Sequence, residues 1–287
     1  MVLVSEAFRE ARFVKPIGEL AACLDSINDL ACFQDYKEKT WERLGIAAGA
    51  RVLDVGCGVG YDVIGMAKRY PAAAIVGIDL SRAFLETARQ RADALPNVGF
   101  AAANGAMLPF ADGTFDAVRI DRSLQHAERP DLIVGEMTRV TRARGVVLAA
   151  EPDWGTFVLY NGVTETSDRL AHMFRNSFRN AFVGRDLQRL FVACGLRDLT
   201  VRAHPLVLTD YRSASVVYDL ERLLSRCVSE RVISSAAAEE WKARAIEASD
   251  AGAFFSHLSI VEVAGGRKGQ GGAPQSRKQL LARRMGS

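Results

Sequence analysis

The chain's 287 residues, 49% hydrophobic and 25% charged, suffice to bury a sizeable core in one large domain or one domain with an elaborated cap. No apolar stretch approaches the roughly 20 residues that cross a membrane, and the opening MVLVSEAFREARFVKP mixes acids and bases where a secretion signal carries an apolar run, so a cytoplasmic chain without a membrane partner is expected. Five cysteines with no CxxC pair argue against a disulfide framework or a zinc cluster, and the net charge of +3 less the six positive charges of the stretch from Arg267 to Arg284 leaves the rest at −3, which argues against a nucleic-acid partner.

In chain order, residues 5–47 predict two or three helices broken near Pro16, read as an N-terminal helical lid spanning 1–47. Five short apolar runs follow, RVLDV (51–55), AIVGID (74–79), VGFAAA (98–103), FDAVRI (115–120) and GVVLAAE (145–151), with amphipathic helical stretches such as YDVIGMAKRY between them. Buried strands alternating with helices predict a doubly wound α/β core with a mostly parallel sheet covered on both faces. Further on, a helix from Arg185 to Cys194, a strand at Leu199 to Thr209 and a last strand starting at His257 predict an edge hairpin. The stretch between those strands, about 211–251, is too long for a loop and reads as a helical cap inserted into a domain spanning 48–265. Residues 266–287, rich in glycine and basic residues, read as a flexible tail.

The first strand runs into Gly56, Gly58 and Gly60, a GxGxG turn whose bare main chain suits close approach of a ligand. The dinucleotide pattern GxGxxG requires glycine where Tyr61 stands, which counts against a pyrophosphate cofactor. Asp79 ends the second strand, 23 residues after Gly56, close to the offset at which an acid meets a ribose hydroxyl pair. Turn and acid together point to a ligand containing adenosine.

VLDVGCGVG, VGIDLS, LPFADGTFDAV and MTRVTRARGVVLAAE, in this order, resemble the successive motifs of class I S-adenosylmethionine-dependent methyltransferases over residues 50–151, and VGRDLQRLFVACGLRDLTV extends the likeness to about residue 265. The resemblance implies a seven-stranded Rossmann-like sheet and S-adenosyl-L-methionine as cofactor, with S-adenosyl-L-homocysteine as product. It places Gly56, Cys57 and Gly58 against the methionine part and ribose, with Asp54 ordering the turn. Asp79 takes the ribose hydroxyls, Leu80 lies against the adenine face, Asn104 replaces the usual Asp facing the adenine amino group, and Gly105 offers its N–H to the purine. Asp121 and Arg122 fall at the pocket mouth near the sulfonium and methionine tail, where they either contact the cofactor or tie down the loop.

His126 is the candidate base, able as a neutral imidazole to take a proton from an acceptor hydroxyl or amine; packing in the loop is the alternative. His172, His204 and His257 show no metal-ligand spacing, and no metal is expected. Glu151, Asp153 and Trp154 in EPDWGTF sit at the end of the fifth strand and serve either the acceptor or the turn. Phe174, Phe178 and Phe182 recur at four-residue steps as one helical aromatic face. That face is either core or, with Trp154, Tyr160, Phe254 and Phe255, the wall of an apolar acceptor pocket, from which Trp154, Phe178 and Phe255 are taken as substrate-binding. The expected activity is methylation of a small hydrophobic or aromatic metabolite, in a role such as secondary metabolism. An RNA or protein methyltransferase, or a non-methylating cyclase or binding protein on the same fold, are the alternatives. A homo-oligomer is compatible with the sequence.

Overall fold

The computed structural model describes residues 17–268. The expected break at Pro16, the N-terminal residues before it and most of the basic tail lie outside that range. Two helices, α1 (Ile17–Asn28) and α2 (Ala31–Arg43), precede β1 (Arg51–Val55). Strands and helices then alternate through α3 (Tyr61–Arg69), β2 (Ala74–Asp79), α4 (Arg82–Arg91), β3 (Val98–Ala102), β4 (Phe115–Asp121), α5 (Pro130–Val140) and β5 (Thr141–Tyr160). The second part comprises α6 (Thr164–Asn176), α7 (Val183–Ala193), β6 (Arg197–Leu208), the cap helices α8 (Tyr211–Tyr218), α9 (Leu220–Ser229) and α10 (Ser235–Asp250), and β7 (Phe255–Gly266).

The sheet order is β3-β2-β1-β4-β5-β7-β6, with β1 to β5 parallel and β7 antiparallel to both neighbours. This is the mixed seven-stranded sheet the sequence predicts, with β6 and β7 as the edge hairpin and three helices between them as the cap. Strand periodicity divides the core: Val52, Ile75 and Ala117 pack on one face, and Leu53, Ile78, Val118 and Ile120 on the other. The crossover order reverses beside β1, between β1 and β4, and opens a crevice at the carboxyl ends of the strands, where open α/β sheets take their ligands.

Three expectations change. β5 does not stop at Glu151 but runs to Tyr160, because β7 keeps pairing with it across a bulge between Asp153 and Val158. The hydroxyl of Thr156 bridges that bulge, donating to Asp153 O at 2.8 Å and accepting from Ser259 N at 2.9 Å. The Phe174/Phe178/Phe182 face is also not one helix: α6 ends at Asn176, and the next residues are tied elsewhere, Asn180 N to Gln125 O and Trp154 N to Ala181 O, each at 3.0 Å. Lastly, Arg267, counted with the tail by composition, exchanges main-chain hydrogen bonds of 2.9 Å with Arg144 and Gly145.

The cap is seated by aromatic packing and by polar contacts. Tyr218 lies 4.5 Å from Phe157 between ring centroids, and buried Trp241 donates its indole N–H to Ser167 at 2.8 Å. Asp210 and Ser234 cap the starts of α8 and α10 by accepting from Ser213 N and Ala237 N. Among the described residues no helix is long and apolar enough to cross a membrane.

Candidate active site

A cavity of about 890 Å³ opens at the carboxyl ends of β1, β2, β4 and β5, within the roughly 300–1,000 Å³ typical of small-molecule sites. One half is floored by main chain. Gly56, Gly58 and Gly60 all adopt positive φ, at 72°, 53° and 88°. At Gly56 a side chain is excluded twice over, because a Cβ would also lie 2.9 Å from Ser123 Cβ. The turn is pinned by Cys57 N donating to Ile78 O at 2.8 Å.

Asp79 accepts from Gly58 N at 2.9 Å and from Ser81 N at 2.8 Å, one bond on each oxygen, so each oxygen keeps a lone pair for a ligand hydroxyl. Burial raises its pKa, and these backbone donors oppose the rise. Beside it Leu80 is 63% exposed, an uncovered apolar surface at the cavity. Asn104 lines the same half, but its side-chain carbonyl accepts from Ala106 N at 2.9 Å, which takes up part of the acceptor capacity expected to face an adenine. Gly105 closes this end against Val55, where a Cβ would approach Cγ1 to 3.1 Å.

The other half is walled by side chains. Phe33 of α2, Trp154 of β5, Phe174 and Phe178, Val217 of α8, and Leu258 and Ile260 of β7 converge on it. Trp154 stacks on Phe178 at 4.3 Å between centroids and donates its indole N–H to Gln125 Oε1 at 2.8 Å. His126 lines the cavity with its ring 5.7 Å from that of Phe178. Phe255 does not reach it: paired with Tyr160 where β5 ends and β7 begins, it is 38% exposed and Tyr160 is 51% exposed. Phe254 packs in the core against Tyr211, and Phe182 lies in the turn at the start of α7 beneath the guanidinium groups of Arg175 and Arg185.

Glu151 and Asp153 point away from the cavity, because period two sends Pro152 and Trp154 into it and their neighbours to the other side. Glu151, fully buried, accepts from Ser123 N, Leu124 N and Gln125 N at 2.8, 2.7 and 3.3 Å, so EPDW holds the loop IDRSLQH in place. Burial pushes its carboxyl up to about 8 against the pull of these donors. Asp153 pairs with Arg185 at 2.8 Å.

Asp54 likewise serves the scaffold. It faces Arg119 across the β1/β4 register at 3.0 Å and is absent from the cavity wall. Arg119, fully buried, also meets Asp62 at 3.1 Å and Asp121 at 3.5 Å, while Lys37 of α2 pairs with Asp62 and lies 3.7 Å from Asp121. Tyr36 donates to both oxygens of Asp121, at 3.0 and 3.2 Å. Three carboxylates thus share two close cations. Burial pushes Asp54 up to about 7 despite Arg119, whereas Arg119 and Lys37 outweigh the burial of Asp62 and hold it well below the usual range. The sequence alone does not mark Lys37, Tyr36 and Arg119; the one signal is an arginine between the apolar residues Val118 and Ile120 of the strand run FDAVRI. Asp121 and Arg122 both line the cavity, with Arg122 in left-handed backbone at φ 50°. No group of His, Cys, Asp or Glu among the described residues is arranged to hold a metal.

Residues 46–198 match a family described as a methyltransferase domain. The chain is 30% identical over 253 residues to an uncharacterized 37.1 kDa protein in transposon TN4556 of Streptomyces fradiae, covering 88% of this chain and 72% of that protein. It is 30% identical over 142 residues to demethylmenaquinone methyltransferase of Staphylococcus aureus, covering 47% of this chain and 58% of the relative, so it spans little more than half of that enzyme's length. Among solved structures the YcgJ protein of Bacillus subtilis superposes with a TM-score of 0.58 at 18% identity, covering 83% of this chain and all of that one, a likeness of fold.

Proposed function

This chain belongs to the methyltransferase domain family and is a class I S-adenosylmethionine-dependent methyltransferase, and from that premise we propose that it methylates a carbon, oxygen or nitrogen atom of a small hydrophobic or aromatic metabolite. The observation that carries the acceptor class is the second half of the cavity, an apolar chamber walled by Phe33, Trp154, Phe174, Phe178 and Val217 from the N-terminal helices, the core and the cap. A similar enzyme named for demethylmenaquinone agrees with such an acceptor.

The other half fits the cofactor. Its turn is bare main chain at Gly56 and Gly58, Asp79 presents lone pairs at the cavity, and Leu80 leaves an apolar face uncovered beside it. Gly56, Cys57 and Gly58 would then hold the methionine part and ribose, Asp79 the ribose hydroxyls, Leu80 the adenine face, and Asn104 and Gly105 the purine edge. Asp121, its carboxylate already engaged by Tyr36, would act through the floor of the site by field and position. When bound, the cofactor supplies a methyl group already activated by its sulfonium.

What remains for the protein is to hold the acceptor in line and exclude water. The aromatic walls do both, and the EPDW-held loop fixes His126 at the chamber, where its imidazole would take the proton released by an acceptor hydroxyl or amine. Transfer of isotopic label from S-adenosylmethionine to panels of lipophilic metabolites, RNA and protein tests this reading. Label is expected in a small molecule; label in RNA or protein alone would overturn it.

A further inference from the structure

The cations at this cavity are not equally satisfied. Lys37 is paired with Asp62, and Arg119 beneath the floor with Asp54 and Asp62. Arg122 differs. Its Nε is buried and makes no hydrogen bond among the described residues, and the nearest carboxylate oxygen, on Asp121, is 3.9 Å away, beyond hydrogen-bond reach. Asp121 is already committed to Tyr36 and drawn toward Arg119 and Lys37. The guanidinium lies 5.0 Å over the ring of Phe33, with a fifth of the side chain's surface open.

The main chain around Arg122 is held on both sides. Its N–H donates to Ala150 O at 2.9 Å, and its carbonyl accepts from Gln125 Nε2 at 2.9 Å. Gln125 in turn receives the indole N–H of Trp154, so the cation and the aromatic wall form one hydrogen-bonded unit in the acceptor half. Left-handed backbone is costly for any residue that carries a Cβ, and so is a guanidinium left short of partners inside an apolar chamber. Asp219, the acid the cap brings to the same cavity, lies 3.5 Å from Arg222 in the first turn of α9, which follows it. A planar anion entering the chamber would meet an arginine fork ready to accept it.

We propose that Arg122 seats an anionic head group of the methyl acceptor, a carboxylate or equivalent planar acid borne on an aromatic or otherwise apolar body. The proposal rests on the methyltransferase reading above and narrows its acceptor class. The competing source of the same chemistry is the carboxylate of the cofactor itself, and the test separates the two.

The full chain is saturated with S-adenosylhomocysteine, and binding of 2-naphthoate and its neutral isostere 2-naphthamide is measured by calorimetry, for wild type, Arg122→Gln and Arg122→Lys. Wild type is expected to favour the anion by roughly ten- to a hundredfold, Arg122→Gln to lose that preference, and Arg122→Lys to recover part of it, with S-adenosylhomocysteine affinity held within about threefold throughout. Equal binding of the two probes to wild type, or failure of both to bind, would overturn the proposal. So would a tenfold or greater loss of S-adenosylhomocysteine affinity in Arg122→Gln, which assigns the seat to the cofactor. Failure of wild type to bind S-adenosylhomocysteine would instead remove the methyltransferase reading underneath.

Discussion

The two halves of the cavity are built from different material. The half proposed for the cofactor is mainly main chain, with few side chains: a left-handed glycine turn at the end of β1, Asp79 and Leu80 at the end of β2, and Asn104 and Gly105 after β3. The acceptor half is side chain throughout, brought together from α2, the loop after β4, β5, the turn after α6, and the cap. A main-chain site tolerates almost no substitution at its few positions, whereas a side-chain site can be rebuilt for another acceptor without disturbing the fold beneath it. One framework can therefore keep a cofactor while changing what it methylates.

The sharpest way to break this contrast is Gly56→Ala. A Cβ there meets Ser123 and must hold φ at +72°, so we expect a loss of about 3 kcal/mol in stability and more than ~100-fold in S-adenosylhomocysteine affinity, read by thermal unfolding and calorimetry. Asp79→Ala removes the acceptor for ligand hydroxyls and for Gly58 and Ser81, and should weaken S-adenosylhomocysteine by about 30- to 100-fold, with Asp79→Asn intermediate.

Glu151 holds the loop at Ser123, Leu124 and Gln125 from outside the cavity, and its effect depends on pH. Its folded pKa of about 8 lies above the ordinary 4.5, so its contribution to stability is complete below about pH 4.5 and is lost as pH rises through 8. Urea unfolding from pH 5 to 9 should show wild type losing on the order of a few kcal/mol that Glu151→Gln does not lose. The variant, its amide facing N–H donors, should be the less stable protein at pH 5, with the gap narrowing above pH 8. A parallel pH dependence in the two proteins would contradict the assignment. The smallest effect is expected at Phe255, which lies outside the cavity: Phe255→Ser should change stability by no more than about 1 kcal/mol and leave S-adenosylhomocysteine affinity unchanged.

The same contrast explains what was legible before the fold was known. The glycine turn, Asp79 and the succession of strands and helices could be read because each is a local pattern: glycines where φ must be positive, an acid closing an apolar run, strands alternating with amphipathic helices. The partner of Asp54 was not legible because it lies 65 residues away, and only the β1/β4 register brings Arg119 against it. Glu151 and Asp153 resemble site residues because acids close the apolar run; regular pairing with β7 through Asp153 carries the alternation on, so Pro152 and Trp154 face the cavity and the two acids the other side. Phe178 reached the cavity for a reason the four-residue spacing did not contain. The helix stops at Asn176, and the following turn is fastened to Gln125 and Trp154. Phe255 stays outside the cavity for the converse reason: it sits at the carboxyl end of β5 opposite Tyr160, but composition does not say which face a residue takes, and alternation buries Phe254 while turning Phe255 to the surface.

The most direct measurement is a crystal structure of the full chain with S-adenosylhomocysteine. The account predicts the ribose between the Gly56–Gly58 turn and the carboxylate of Asp79, the adenine beside Leu80 and Gly105, and the sulfur facing the chamber of Phe33, Trp154 and Phe178. Adenosine lodged among those aromatic side chains, or bound outside the cavity, would contradict it.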